Sequence, residues 1–289
     1  MSFLKNMNGR GKRLLALGLA GCLILGTTVF SLASETSGYE AYKDALKKTA
    51  MMSSTDDSYS VIIKVKDNGE SVIESTSKHD EDKAAKTASE ETIIKVNGKE
   101  TVIKKEYKDG KMYVDCNGNA SVEDYIYFYD DANGEIRSEN EVGTEDLDFS
   151  SNGMKLAEMI FDTLVGDTKS HFVKDGNIVY VNLDDAQIPE LAKLAAITMI
   201  EQLDYIQVEN TDDSDVCEQD IVTATAEVIP KLKNIEINKL AMNSDITGGI
   251  LHENDFRMIY TGVDAKGVSH TVDCYFSMAT SDLNQQRQK

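Results

Sequence analysis

GDTKSHFVKDGNIVYVNLDDAQIPELAKLAAITMIEQL, from Gly166 to Leu203, decides the fold. His171 to Val173 and Ile178 to Leu183 read as two strands joined across Lys174-Asp175-Gly176-Asn177, and Pro189 stands where a first helical position needs no N–H. Over Ile188 to Leu203, ten of sixteen residues are Ala, Leu, Ile or Met, and Glu190, Lys193 and Glu201 fall on one narrow stripe. Such a helix has to be covered on more than half its girth. Ile197 interrupts the charged stripe, though single exposed apolar residues are normal.

Immediately upstream, Asn152 to Val165 reads as a second apolar helix, with Met154, Ala157, Phe161 and Leu164 on one face and Lys155, Glu158 and Asp162 left for solvent. Two greasy helices therefore flank one short hairpin. Further back, Asn68-Gly69, Asn97-Gly98, Asp109-Gly110 and Asn133-Gly134 each lie between runs of strand-forming residues, the strongest short-range hairpin signal. Tyr59 to Val65, Thr92 to Val96, Thr101 to Tyr107, Lys111 to Cys116 and Tyr125 to Tyr129 become strands of an antiparallel meander, with the charged, Ala-rich Lys78 to Ser89 as a solvated loop or short helix. A helix from Thr36 or Ser37 to about Met52 precedes them. Beyond the acidic Asp204 to Asp220, alternation returns at Ile235 and Ile237, at Phe256 to Tyr260 and at His270 to Met278.

Composition bounds compartment and partners. The 289 residues are 41% hydrophobic and 28% charged, as in a globular protein. Lys5, Arg10, Lys12 and Arg13 precede an apolar run from Leu14 to Phe30, an export signal. Three fates are open to it: cleavage after Ser31-Leu32-Ala33, lipidation of Cys22 within Leu19-Ala20-Gly21-Cys22, or retention as an anchor. Each places residues 34–289 outside the cytoplasmic membrane as a single α+β domain, associated with the membrane only through the N-terminal segment. Loss of residues 1–33 takes the formal charge from −20 to −24, which disfavours nucleic acid as a partner.

Catalytic machinery is not evident. The four histidines, His79, His171, His252 and His270, do not stand at zinc-protease spacing, and there is no nucleophile elbow, P-loop or dinucleotide fingerprint. His270 and Cys274 share a strand face but fall short of a ligand set. Asp131-Ala132-Asn133-Gly134 resembles the middle of an EF-hand without its terminal acids, so a hairpin turn explains it better. Glycosidase clefts favour aromatic platforms, and Trp is absent. Tyr125, Tyr127 and Tyr129 would share one strand face and pack across strands. No cofactor is implied. Of the cysteines outside the signal, Cys116, Cys217 and Cys274, one pair could close.

This order of elements, with Leu164-Val165-Gly166-Asp167, His171-Phe172, Leu183 and Gln187-Ile188-Pro189-Glu190-Leu191, resembles uncharacterised secreted and lipoprotein-like proteins of Gram-positive bacteria that are similar to the LolA/LppX lipoprotein-carrier superfamily. The resemblance covers about Ser37 to Ala279. It implies a strongly curved antiparallel half-barrel with helices on its concave face and an apolar cavity between them. The carriers' latch uses a cavity arginine, which none of Arg137, Arg257 and Arg287 matches. The expectation is a non-enzymatic extracytoplasmic binding protein for a lipid or lipidated partner, with Met154, Phe161, Leu164, Leu191, Leu194, Ile197 and Met199 lining the cavity. The alternative is an envelope interaction or sensor module acting through its surface.

Overall fold

Asn68-Gly69, Asn97-Gly98, Asp109-Gly110 and Asn117-Gly118 all take left-handed φ at both residues, for example 49° and 87° at the first pair. That backbone twist matches the twist of the flanking strands, so each pair folds the chain back on itself. In the computed structural model, which describes residues 37–50, 58–130, 136–138, 166–203, 224–225 and 227–280, these turns join β1 (Ser58–Asp67), β2 (Glu70–Asp82), β3 (Thr87–Val96), β4 (Lys99–Lys108), β5 (Lys111–Cys116) and β6 (Asn119–Asp124). The link between β2 and β3 is a longer turn, residues 83–86, in which Lys86 takes a left-handed φ of 53°.

A short two-stranded pair, β7 (Phe128–Asp130) with β8 (Ile136–Ser138), stands apart. The second meander is β9 (Val173–Asp175), β10 (Ile178–Asp184), β11 (Lys233–Thr247), β12 (Ile250–Val263) and β13 (Ser269–Thr280). Pairing of β1 with β13 fuses the two meanders into one antiparallel sheet of eleven strands, ordered β6-β5-β4-β3-β2-β1-β13-β12-β11-β10-β9.

One face of this sheet carries the core. Register places Leu183 opposite Leu240, Leu240 opposite Met258, Met258 opposite Cys274 and Cys274 opposite Val65, so one apolar row crosses five strands. Helix α1 (Ser37–Ala50) lays Tyr39, Tyr42 and Ala45 onto it, all fully buried at helical spacing, with the Tyr39 ring edge-on to Phe172 at 5.0 Å. Gly38 is required there, because a Cβ would stand 2.2 Å from the Phe172 carbonyl oxygen. At the other end of α1, Thr49 Oγ1 accepts the Leu251 N–H and Lys48 Nζ donates to the Gly248 carbonyl, both at 2.9 Å.

Helix α2 (Glu190–Leu203) starts directly after Pro189, whose carbonyl accepts the Lys193 N–H. It meets the sheet on its small residues. Ala192 and Ala196 are buried and Ile197 and Ile200 half-buried in the core, whereas Leu191 and Leu194 are 46% and 60% exposed. The sheet already fills that space with Leu183, Leu240 and Met242, so the helix closes on alanine and turns two leucines outward.

Several expectations change. Gly166–His171 is a 3-10 turn instead of the start of a strand, and the strand begins at Val173. Residues 78–89 are not a loop or helix: β2 runs on to Asp82 and β3 starts at Thr87. The alternation is disguised there because the buried positions, His79, Glu81 and Lys83, are themselves polar. Tyr125 to Tyr127 is an irregular strap outside any strand, and only Tyr127 of its tyrosines is buried. A further hairpin turns at Asn117-Gly118, into the short and polar strand β6. The expected helix Asn152 to Val165, the Asn133-Gly134 turn, the acidic stretch Asp204 to Asp220 and the N-terminal segment with Cys22 lie outside the described residues. No helix among the described residues is long and apolar enough to cross a membrane.

Candidate functional site

The core-bearing face holds two apolar clusters. The larger lies under α1 and α2; the smaller gathers Ala88, Tyr107, Met112 and Tyr127, with Val114, Tyr125 and Phe128 at its margin. Between them runs a polar row supplied by alternate residues of β2, Ser75, Ser77, His79 and Glu81, with Thr92 of β3 opposite Ser77. The Ser77 and Thr92 hydroxyls bond at 2.8 Å. Polar groups on a buried face persist only with partners.

At the end of the row the strap 125–128 is pinned down. The Tyr125 N–H donates to the Gly110 carbonyl at 2.8 Å, which sets the strap's path over β4 and β5. Two residues on, the Tyr127 hydroxyl donates to Glu81 Oε2 at 2.8 Å and lies 3.4 Å from His79 Nε2, which is itself 3.6 Å from the same carboxylate oxygen. The Tyr127 ring stacks on Tyr107 at 4.4 Å and meets Phe128 edge-on at 4.7 Å, while His79 stacks on Tyr59 at 4.8 Å. His79, Glu81 and Tyr127 are each buried. Burial first, and then the Glu81 carboxylate, push the Tyr127 phenol far above its ordinary range, so it stays a protonated donor. Among the described residues the His79 Nδ1 has no hydrogen-bond partner. The arrangement clamps the strap to β2.

The strap forms one wall of an open cleft of about 480 Å³. Tyr107, Tyr125, Ile126, Tyr127 and Phe128 line one side, the β2–β3 turn from Ala84 to Thr87 a second, and the β4–β5 turn from Lys108 to Lys111 a third. Its volume falls within the range of small-molecule sites, and its lining combines aromatic side chains with Lys86, Lys108, Lys111 and Asp109.

Of the residues expected to line a cavity under the helices, three are described with their side chains: Leu191, Leu194 and Ile197. Met154, Phe161 and Leu164 lie outside the described residues, as does the side chain of Met199. Leu191 and Leu194 face away from the sheet and Ile197 packs against the core instead of interrupting a surface stripe. Beneath α1 and α2, Tyr39, Tyr42, Val179, Leu240 and Val272 have no exposed surface.

His270 and Cys274 do not act together. His270 Nδ1 sits 2.8 Å from Asp67 Oδ2, with Asp264 Oδ2 at 3.7 Å from Nε2, which ties the β1–β2 turn to the β12–β13 turn. The Cys274 thiol is pushed up to about 12 by burial and then by Asp273, so it is no thiolate. Among the described residues no group of His, Cys, Asp and Glu is arranged to hold a metal ion. Cys116 is in a disulfide, so one cysteine pair does close.

No family model matches the chain, and no curated protein matches it. Among solved structures it is similar to LprF from Mycobacterium bovis, at 12% identity over 85% of this chain and 91% of that one, with a TM-score of 0.25. It is similar also to a beta-barrel-like protein of the domain of unknown function DUF1849 from Brucella abortus, at 9% identity over 78% and 98% of the two chains, with a TM-score of 0.18. A DUF1329 family protein from Desulfovibrio piger follows at 12% identity over 85% and 90%, with a TM-score of 0.12. Superpositions this loose carry no function across, so the reading below rests on the chain's own residues.

Proposed function

We propose that this protein is a non-enzymatic binding protein of the extracytoplasmic space, exported by its N-terminal segment and holding a hydrophobic ligand on the helix-bearing face of its sheet. In this reading the eleven strands form a curved half-barrel with the helices on its concave side, and lipids or lipidated proteins of the cell envelope are the partners considered first. The cleft beside Tyr127 carries the proposal: there the second described apolar cluster borders an open volume lined by aromatic side chains and a few charged ones. Beside this cleft lies the second apolar cluster of the helix-bearing face, Ala88, Tyr107, Met112 and Tyr127, and the reading puts the ligand against it.

Native mass spectrometry of the exported protein after gentle purification tests this. A population heavier than the processed chain by the mass of a small apolar molecule is expected; bare protein under all mild conditions would overturn it. Intact mass in the same experiment distinguishes a start at Ser34 from a lipidated Cys22.

One observation favours a second reading, an interaction or sensor module. Leu191 and Leu194 stand one turn apart on α2 with 46% and 60% of their surface exposed, above a core that needs neither. A polar substitution at Leu194 that abolishes capture by an envelope protein while leaving ligand mass unchanged would select this reading.

A further inference from the structure

We infer that Cys116 is joined to Cys217 by a disulfide that forms once the chain has left the cytoplasm, and that this bond fastens the chain between α2 and β11 to the helix-bearing face of the sheet. The chain has four cysteines, Cys22, Cys116, Cys217 and Cys274. Cys116 is disulfide-bonded and Cys274 carries a free thiol, so the partner of Cys116 within the chain is Cys22 or Cys217. Each fate of the N-terminal segment takes Cys22 out of contention. Cleavage after Ala33 removes it, lipidation turns its sulfur into a thioether, and retention as an anchor holds it inside the apolar run Leu14 to Phe30, within the bilayer. Cys217 remains.

The place of Cys116 gives the bond its consequence. Met112, Val114 and Cys116 alternate along β5 and so share a face, and Met112 belongs to the second apolar cluster with Val114 at its margin. Register sets Cys116 opposite Ile103, Ile103 opposite Thr92 and Thr92 opposite Ser77. Cys116 therefore extends the cross-strand row that carries the bonded Ser77 and Thr92 hydroxyls, on the helix-bearing face. Cys217 comes fourteen positions after Leu203, the end of α2, which packs on β11. Fourteen extended residues reach about 45–50 Å. The seven strand spacings from β11 to β5 come to about 34 Å, so the chain leaving α2 is long enough to reach Cys116.

Closing the bond joins Cys116 Sγ to Cys217 Sγ and releases two protons and two electrons. The electron pair goes to the disulfide of a thiol–disulfide oxidoreductase outside the cytoplasmic membrane, which leaves as a dithiol after exchange through a mixed disulfide. Reducing compartments keep such pairs open, so the inference rests on the export proposed above but not on any ligand. The bond closes the loop from residue 116 to residue 217, and long loops gain most from a crosslink because the unfolded chain loses most freedom.

Tryptic mapping of the exported protein, alkylated in denaturant without reduction, tests the inference. Met112–Arg137 and Leu194–Lys231 hold Cys116 and Cys217 and should appear as one linked mass that separates on reduction, while Gly267–Arg287 carries alkylated Cys274. Reduction should lower the melting temperature by about 5–15 °C. Cys116→Ser, Cys217→Ser and the double variant should each reproduce that fall without exceeding it, and Cys274→Ala should leave the effect of reduction intact. A link from Cys116 to Cys22 or to a second copy, alkylated thiols at both Cys116 and Cys217, or losses that add in the double variant would overturn the inference. Linked peptides from protein that carries no ligand leave the pairing standing and remove the binding reading; ligand mass on protein with both thiols alkylated does the reverse.

Discussion

The Tyr127 hydroxyl donates a hydrogen bond to Glu81 Oε2 at 2.8 Å, joining an irregular strap to a strand 46 residues earlier in the chain. The bond ties the second apolar cluster, to which Tyr127 belongs, to the polar row of β2. Tyr127→Phe keeps the stack on Tyr107 but leaves the buried carboxylate one donor short, which costs about 1–3 kcal/mol. Urea denaturation should show that loss, while Tyr129→Phe, at a 44% exposed position, should stay within about 0.5 kcal/mol of wild type.

Gly38 lets α1 settle directly on the Phe172 backbone. Gly38→Ala would drive a methyl into a carbonyl oxygen, with 2.2 Å between the two atoms before relaxation. Lifting the helix end disturbs Tyr39 and Tyr42 as well, and a destabilisation of about 1–3 kcal/mol is expected in thermal melts. A melting temperature equal to wild type would mean that α1 does not approach the sheet here.

Acid should weaken the turn between β12 and β13. Asp264 accepts N–H bonds from Val268 and Lys266 and faces His270, and these contacts, Val268 foremost, hold its carboxyl below the ordinary range. A group whose folded pKa is depressed stabilises the fold above its unfolded value, about 3.9 for Asp, and that stability is lost as pH falls through the folded value. Between about pH 5 and pH 2, wild type should therefore lose more stability than Asp264→Asn, measured by urea midpoints. Parallel curves for the two proteins would refute the contribution.

Cys274 should be inert while the protein is folded. With its thiol pushed up to about 12, alkylation by iodoacetamide at pH 8 should wait for unfolding. Fast labelling of the native protein at Cys274, read by peptide mass spectrometry, would contradict its half-buried placement on β13.

Much of the sheet was readable in advance because its turns announce themselves. Asn-Gly and Asp-Gly pairs are chemically suited to two successive left-handed residues, and three of the four such pairs expected fall within the described residues and turn as read. The site was harder to see. His79 and Glu81 continue the alternation of Ile73 and Ser75, but a charged side chain on the buried face looks, in one dimension, like a solvated loop. Extending the period of two from Ile73 as far as Lys83 would have found them. On α2 the periodicity alone gave leucine as the inward residue; which face meets the sheet depends on the volume of Leu183 and Leu240, residues distant in the chain. Nothing in the local sequence marks Lys86 as left-handed, since its neighbours Ala85 and Thr87 carry no turn preference of their own.

The most direct test of the binding reading is methyl NMR on isotope-labelled protein stripped of ligand, followed as the apolar molecules extracted from the native protein are returned. Shifts confined to Ala84, Ala85 and Ile126, with Leu191 and Leu194 unmoved, are predicted. Shifts at Leu191 and Leu194 alone, or none at any of these methyls, would contradict a ligand site in the cleft beside Tyr127.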